Sequence, residues 1–246
     1  MTKFKAFLIS AAALILLVSP AFPLTITSVS GSWSNWVGGE NVVTQTASVV
    51  YGNTVEDQVR WGDVPPAAPK SGLGFTGVVD GLMPALSVEI DEIFELGQLR
   101  HFNNPIGSGS AADEVDLTIA LAISELASGE NFTFTFEIDE TLNAEPCVYE
   151  CNEAGCKPCP DRISFPNSFP SQSFVIDQTR YTLALLGFGD TPEDLIDDFI
   201  SDEGGTNKTL LFGTLTESPF VIPEPASLLL IGGGLLGLAG FRRKKK

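Results

Sequence analysis

The chain has 246 residues, 31 of them acidic and 14 basic, with one histidine and four cysteines. Lys3, Lys5 and the five cations of residues 242–246 sit at the extreme ends, and Glu224 lies near the second end. The body between them therefore carries 30 acids against 7 bases, a net charge near −23. Such a body has no cationic surface with which to release counterions, which excludes nucleic acid and anionic lipid as partners. The charge reads first as solubility and mutual repulsion outside a cell. The sharper alternative is divalent-cation binding, or cation-bridged contact with an acidic polysaccharide.

The first residues form a three-part export signal. Lys3 and Lys5 precede a 13-residue apolar run, residues 6–18, and Ser19-Pro20-Ala21 places small residues at the −3 and −1 positions of a cleavage site. A helix of that length covers about 20 Å, short of a hydrocarbon core of roughly 30 Å, so residues 1–21 are expected to be a cleaved signal peptide.

From Leu24 onward the pattern is that of strands. Residues 24–29 alternate apolar and polar side chains, and 42–51 are rich in valine and threonine. Further strands are expected at 58–61, 73–79, 92–99 and 115–123. The cleanest alternation is 132–138, with four large apolar side chains on one face. Residues 162–165, 173–177, 180–186 and 209–216 complete about ten short strands. One helix is expected, over 191–200, with Thr191 as cap, Pro192 in the first turn and Gly204-Gly205 beyond its end. The pattern specifies an all-β chain: a single antiparallel β-sandwich, jelly-roll-like, over residues 24–221.

Three stretches of the body could carry chemistry. In 96–106 a strand is expected to end at Leu99, after which Pro105 pushes Asn104 into an extended conformation. His101 and Asn103 then hydrogen-bond neighbouring backbone and fix a loop; ligand binding is the alternative. Glu137, Asp139, Glu140 and Asn143 could hold calcium through oxygen ligands, although their spacing is not that of an EF-hand and an acidic turn explains them as well. Cys147, Cys151, Cys156 and Cys159 lie within 13 residues, and an oxidising compartment favours disulfides over zinc. Three pairings are possible; the nested one, Cys147 with Cys159 and Cys151 with Cys156, closes a hairpin-like loop and is the one expected. No firm metal site and no cofactor is predicted beyond the possible calcium.

Catalytic machinery is sparse. A single histidine excludes a two-histidine metal site, and no Gly-x-Ser-x-Gly elbow or phosphate loop occurs. No catalytic residue is predicted, and the chain is not expected to be an enzyme; a carboxylate-based polysaccharide-active enzyme is the remote alternative. Carbohydrate binding would call on exposed aromatics, for which Trp33, Trp36 and Trp61 are candidates.

At the far end, Val221-Ile222-Pro223-Glu224-Pro225 leads into an apolar, glycine-rich stretch, residues 226–241, and then five cations. A helix there would reach about 24 Å, and the cations would stay on the cytoplasmic side. This order of parts resembles the PEP-CTERM sorting signal of exopolysaccharide-making, Gram-negative-type bacteria, with Pro223, Glu224 and Pro225 as its motif. The resemblance implies that residues 222–246 are a sorting helix, read and processed by exosortase and the secretion machinery. Membrane association through the tail would then be transient, and the mature chain would keep no span.

A second resemblance runs through the body. Leu96-Gly97 with His101, Phe102, Asn103, Asn104, Pro105 and Ile106 is similar to the Thr-His-x-Asn motif of a group of PEP-CTERM proteins, with Arg100 at the threonine position. Gly31-Ser32-Trp33-Ser34-Asn35, Val59-Arg60-Trp61-Gly62, residues 71–77, residues 136–143 and Cys159-Pro160-Asp161-Arg162-Ile163 resemble the choice-of-anchor K domain. That resemblance implies Cys147 and Cys159 as the framework pair. It also implies a structural role at the cell surface or in the extracellular matrix, with exopolysaccharide as the possible partner. A carbohydrate-binding module is the second reading.

Overall fold

The computed structural model describes residues 23–48, 55–79, 84–126, 129–144, 146–151, 158–166, 171–176 and 178–219. The expected signal peptide, the sorting tail and Cys156 lie outside them. Thirteen strands and no helix occur among the described residues, so the all-β expectation holds. They are β1 (Leu24–Gly38), β2 (Val43–Ser48), β3 (Val55–Trp61), β4 (Ser71–Gly77), β5 (Leu86–Val88), β6 (Ile93–Asn103) and β7 (Ala112–Ile123). The chain continues with β8 (Glu130–Asp139), β9 (Asp161–Ser164), β10 (Ser171–Ile176), β11 (Thr179–Gly189), β12 (Phe199–Ser201) and β13 (Gly205–Pro219).

Two antiparallel sheets pack as a sandwich. One has the order β12-β9-β8-β7-β1-β5, the other β10-β11-β13-β6-β4-β3-β2. Period-two alternation supplies the core: Phe132, Phe134, Phe136 and Ile138 of β8 face Leu73, Phe75, Leu99, Leu183 and Leu211 from the other sheet's strands within one buried apolar cluster. The sheets close on one another where β4 meets β1. A Cβ at Gly77 would stand 1.9 Å from the Val29 carbonyl, a contact only glycine allows.

Two expectations are corrected. Residues 191–200 form no helix. Phe188 and Ile196 exchange both backbone hydrogen bonds, at 2.8 and 2.9 Å, and Phe199 opens β12. Ten residues carrying Glu193, Asp194, Asp197 and Asp198 are too few and too polar to hold a helix without an apolar face to bury, and strand pairing wins. The strand expected to stop at Leu99 instead runs to Asn103, paired with β13 on one side and β4 on the other.

Candidate functional site

The extension of β6 decides which side chains meet between the sheets. Phe94 and Leu96 point into the core, and simple alternation from there would send Gln98, Arg100 and Phe102 inward. The register with β13 shifts at this point: Leu211 pairs with Gly97 and Phe212 with Glu95, so Leu96 is an extra residue, a β-bulge. Beyond it the phase is reversed. Leu99, His101 and Asn103 face inward, and Arg100 turns outward to pair with the buried Glu56 at 2.5 Å. The outward ring of Phe102 is covered by the guanidinium groups of Arg60, 3.7 Å from its centroid, and Arg100, 4.8 Å away.

His101 and Asn103 are both fully buried, and both reach Ser201 across the sandwich. His101 Nδ1 lies 2.8 Å from Ser201 Oγ, and Nε2 lies 3.5 Å from Ser71 Oγ. Asn207, opposite His101 in the β6–β13 register, donates its amide to Ser201 Oγ at 2.9 Å and to the Asp202 carbonyl at 2.6 Å. With one Oγ lone pair filled by Asn207, a Ser201 hydroxyl donating to Nδ1 leaves the His101 proton on Nε2, directed at Ser71. Burial, with the Arg60 charge adding to it, pushes the His101 pKa down to about 3. The ring is therefore neutral at any ordinary pH. Asn103 Nδ2 donates to the Ser201 carbonyl at 2.8 Å, and the Asn103 carbonyl accepts from Gly204 N at 2.9 Å. Gly204 adopts φ +87°, the left-handed conformation that turns the chain back into β13.

Next to this closed network stands an open one. Glu140 follows β8, Asp161 opens β9, and Glu203 lies in the bend between β12 and β13; one carboxylate oxygen from each lies within 4.8 Å of the others. Asp161 is fully buried. Its Oδ1 accepts from the Thr141 backbone N–H at 2.8 Å and from the Thr141 hydroxyl at 3.3 Å, while Oδ2 has no partner. Glu140 Oε2 and both oxygens of Glu203 are likewise buried without a geometrically sound hydrogen bond, although Asn143 approaches Glu203 closely enough to favour its charged form. The Asn103 amide lies against Asp161, and Asn103 Oδ1 is buried and unpartnered too. Among the described residues none of the three acids forms an ion pair with lysine or arginine. Burial, reinforced by Asp161 and Glu203, pushes Glu140 up to about 8. Burial pushes Asp161 up to about 7 against the opposing pull of the Thr141 hydrogen bond, and raises Glu203 as well.

The sequence-predicted residues divide accordingly. Of the four calcium candidates, Glu140 enters this cluster and Asn143 supports Glu203. Alternation along β8 puts Glu137 and Asp139 on the outer face, where Asp139 accepts from the Tyr149 hydroxyl and lies 3.9 Å from Arg162. His101 is held by hydroxyls rather than by the backbone expected; Asn103 does bond backbone, that of Ser201. Pro105 is exposed just beyond β6, where it ends the strand. Cys147 and Cys159 are bridged with Cα atoms 5.2 Å apart, tying the chain that leaves Glu140 to the chain that enters Asp161. Cys151 is also disulfide-bonded. Trp33 and Trp61 are core residues, whereas Trp36 is exposed. Glu203, Ser201 and Asn207 carry no expectation from sequence, and Asp161 and Ser71 enter it only within the choice-of-anchor K resemblance, with no role. The available signals were slight: an acid directly after Cys159-Pro160, and a Glu-Gly-Gly turn.

Residues 221–244, beyond the sandwich, match the family described as the PEP-CTERM protein-sorting motif. The chain carries an exosortase sorting signal. It is an exported, surface-targeted protein that exosortase processes during export. No curated protein matches the chain.

Proposed function

We propose that this protein is a non-catalytic structural component of the cell surface or the exopolysaccharide matrix, its sandwich domain being the part that remains after sorting. The sorting motif at residues 221–244 carries this reading. Three features support it. The one histidine is buried and uncharged, so it offers no general base or acid to a substrate at neutral pH. The dense acidity keeps the domain soluble and apart from its copies. The Cys147–Cys159 bridge suits an oxidising compartment. The Thr-His-x-Asn resemblance fits as well, because two inward positions spaced by two on one strand are what a cross-sandwich clamp on Ser201 requires.

The experiment is fractionation of the producing bacterium with the intact chain and with Pro223-Glu224-Pro225 replaced by alanines. The intact chain is expected in the surface or matrix fraction, lacking Lys246; the variant is expected to stay with the membranes. Equal surface deposition of both would refute the reading. Carbohydrate binding is the second reading, favoured by the exposure of Trp36 and Val37 near the end of β1 and of Val43 at the start of β2.

A further inference from the structure

We propose that Glu140, Asp161 and Glu203 form a calcium-binding site at one end of the sandwich, beside the Asn103 amide. The donors come from three separate places: the end of β8, the start of β9 and the bend after β12. They converge because β8 pairs with β9 and β9 pairs with β12.

The arrangement answers to an ion in three respects. First, all three donors are carboxylate oxygens. Calcium takes six to eight oxygens at about 2.3–2.6 Å, so two ligands of one ion stand up to roughly 5 Å apart, and the three carboxylate oxygens fall within that limit. Magnesium, which keeps most of its water and uses one or two carboxylates, fits this set less well. Second, the atoms that would face the ion are the ones without partners, while their neighbours are fixed. Asp161 is wholly buried; Thr141 holds its Oδ1, and its Oδ2 has no sound hydrogen bond, only the Asn103 amide lying against the carboxylate. Buried polar atoms without partners are rare because each costs desolvation free energy, and here several gather in one place. Third, one of the three acids borders open space: Glu140, with Asn143, Ser108 and Asp113, lines a cavity of about 360 Å³, which could supply water to the ion's shell.

The inference concerns the ion alone and is independent of where the protein is deposited. The secreted protein is treated with EDTA, dialysed, and titrated with calcium chloride by calorimetry and in thermal melts. One calcium per chain is expected, with a dissociation constant of roughly 10⁻⁴–10⁻³ M as in other extracellular modules. At 10 mM calcium the melting temperature is expected to rise by about 3 °C or more. Glu203→Gln and Asp161→Asn should each abolish the saturable binding and the shift, while Asp139→Asn should keep both. Glu203 lies in a bend outside the strands, so Glu203→Gln preserves a folded test even if Asp161→Asn does not fold. Absence of saturable binding by the unaltered protein up to 10 mM would overturn the site. So would wild-type affinity in folded Glu203→Gln, or equal loss in Asp139→Asn.

Discussion

Two polar clusters share one end of the sandwich interior, and they are built on opposite terms. Around His101 every described contact closes on another: the ring on Ser201 and Ser71, Asn207 on Ser201, the Asn103 amide on the Ser201 carbonyl. Around Asp161, four residues keep buried oxygens with no sound hydrogen bond, the acids among them approached only by the Asn103 and Asn143 amides. A closed network of neutral groups stabilises and specifies the packing. An open network of acids does neither, since each desolvated carboxylate opposes the next. The difference separates scaffold from site, and Asn103 belongs to both: its amide donates to the Ser201 carbonyl and lies against Asp161.

The largest expected effect falls on the closed cluster. Replacing His101 by Ala removes a fully buried ring and strands the hydroxyls of Ser71 and Ser201, so urea unfolding should show a loss of about 2–4 kcal/mol. Calcium should alter that loss little. A loss below about 1 kcal/mol would mean that the clamp is not structural.

Next comes the bridge that joins the two chain segments of the open cluster. Replacing both Cys147 and Cys159 by serine, which leaves the disulfide of Cys151 in place, should lower stability by about 3 kcal/mol, the chain-entropy value for a loop of this size. If the bridge positions Glu140 against Asp161, calcium affinity falls in the same titration. Unchanged affinity in the folded double-serine variant would confine the bridge to stability.

The two clusters also respond to pH with opposite signs. His101 is protonated in the unfolded chain below about 6.5 but in the folded chain only below about 3. Acidification through that window therefore draws protons to the unfolded state and lowers stability. Glu140 and Asp161 titrate higher in the folded chain, at about 8 and about 7, than their ordinary values. The proton they keep is a folded-state gain at low pH, and it is lost as pH rises through those values. Between pH 6.5 and 8 only the carboxylates still change, so calcium-free protein should lose stability there, by at most roughly 1.4 kcal/mol per pH unit for each proton. Saturating calcium should flatten this slope, as should Glu203→Gln in part. A stability that rises from pH 6.5 to 8 without calcium would contradict the open cluster.

The smallest effect belongs to the surface. Trp36→Ala should change stability by less than about 0.5 kcal/mol. Co-sedimentation with extracted exopolysaccharide then decides its role: retained binding leaves Trp36 a bystander, and lost binding favours the carbohydrate reading over a purely structural one.

Much of this molecule follows from local pattern. Alternation as clean as that of residues 132–138 makes a strand wherever it is placed, because side chains on a pleated backbone repeat every two residues. Four cysteines within 13 residues of an exported chain invite disulfides, and Pro223-Glu224-Pro225 before an apolar span and five cations announces sorting. The site was only half legible. Glu140 and Asn143 stand out in sequence, but Glu137 and Asp139 look equally good there, and one step of strand parity sends them to the other face. Asp161 and Glu203 are 42 residues apart and meet only because β9 and β12 pair at a sheet edge. The phase of His101 and Asn103 rests on a single extra residue at Leu96, a bulge that exists only against its partner strand β13. Local sequence determines which residues alternate; the pairing of strands distant in the chain determines which way they face, and hence which polar atoms meet inside.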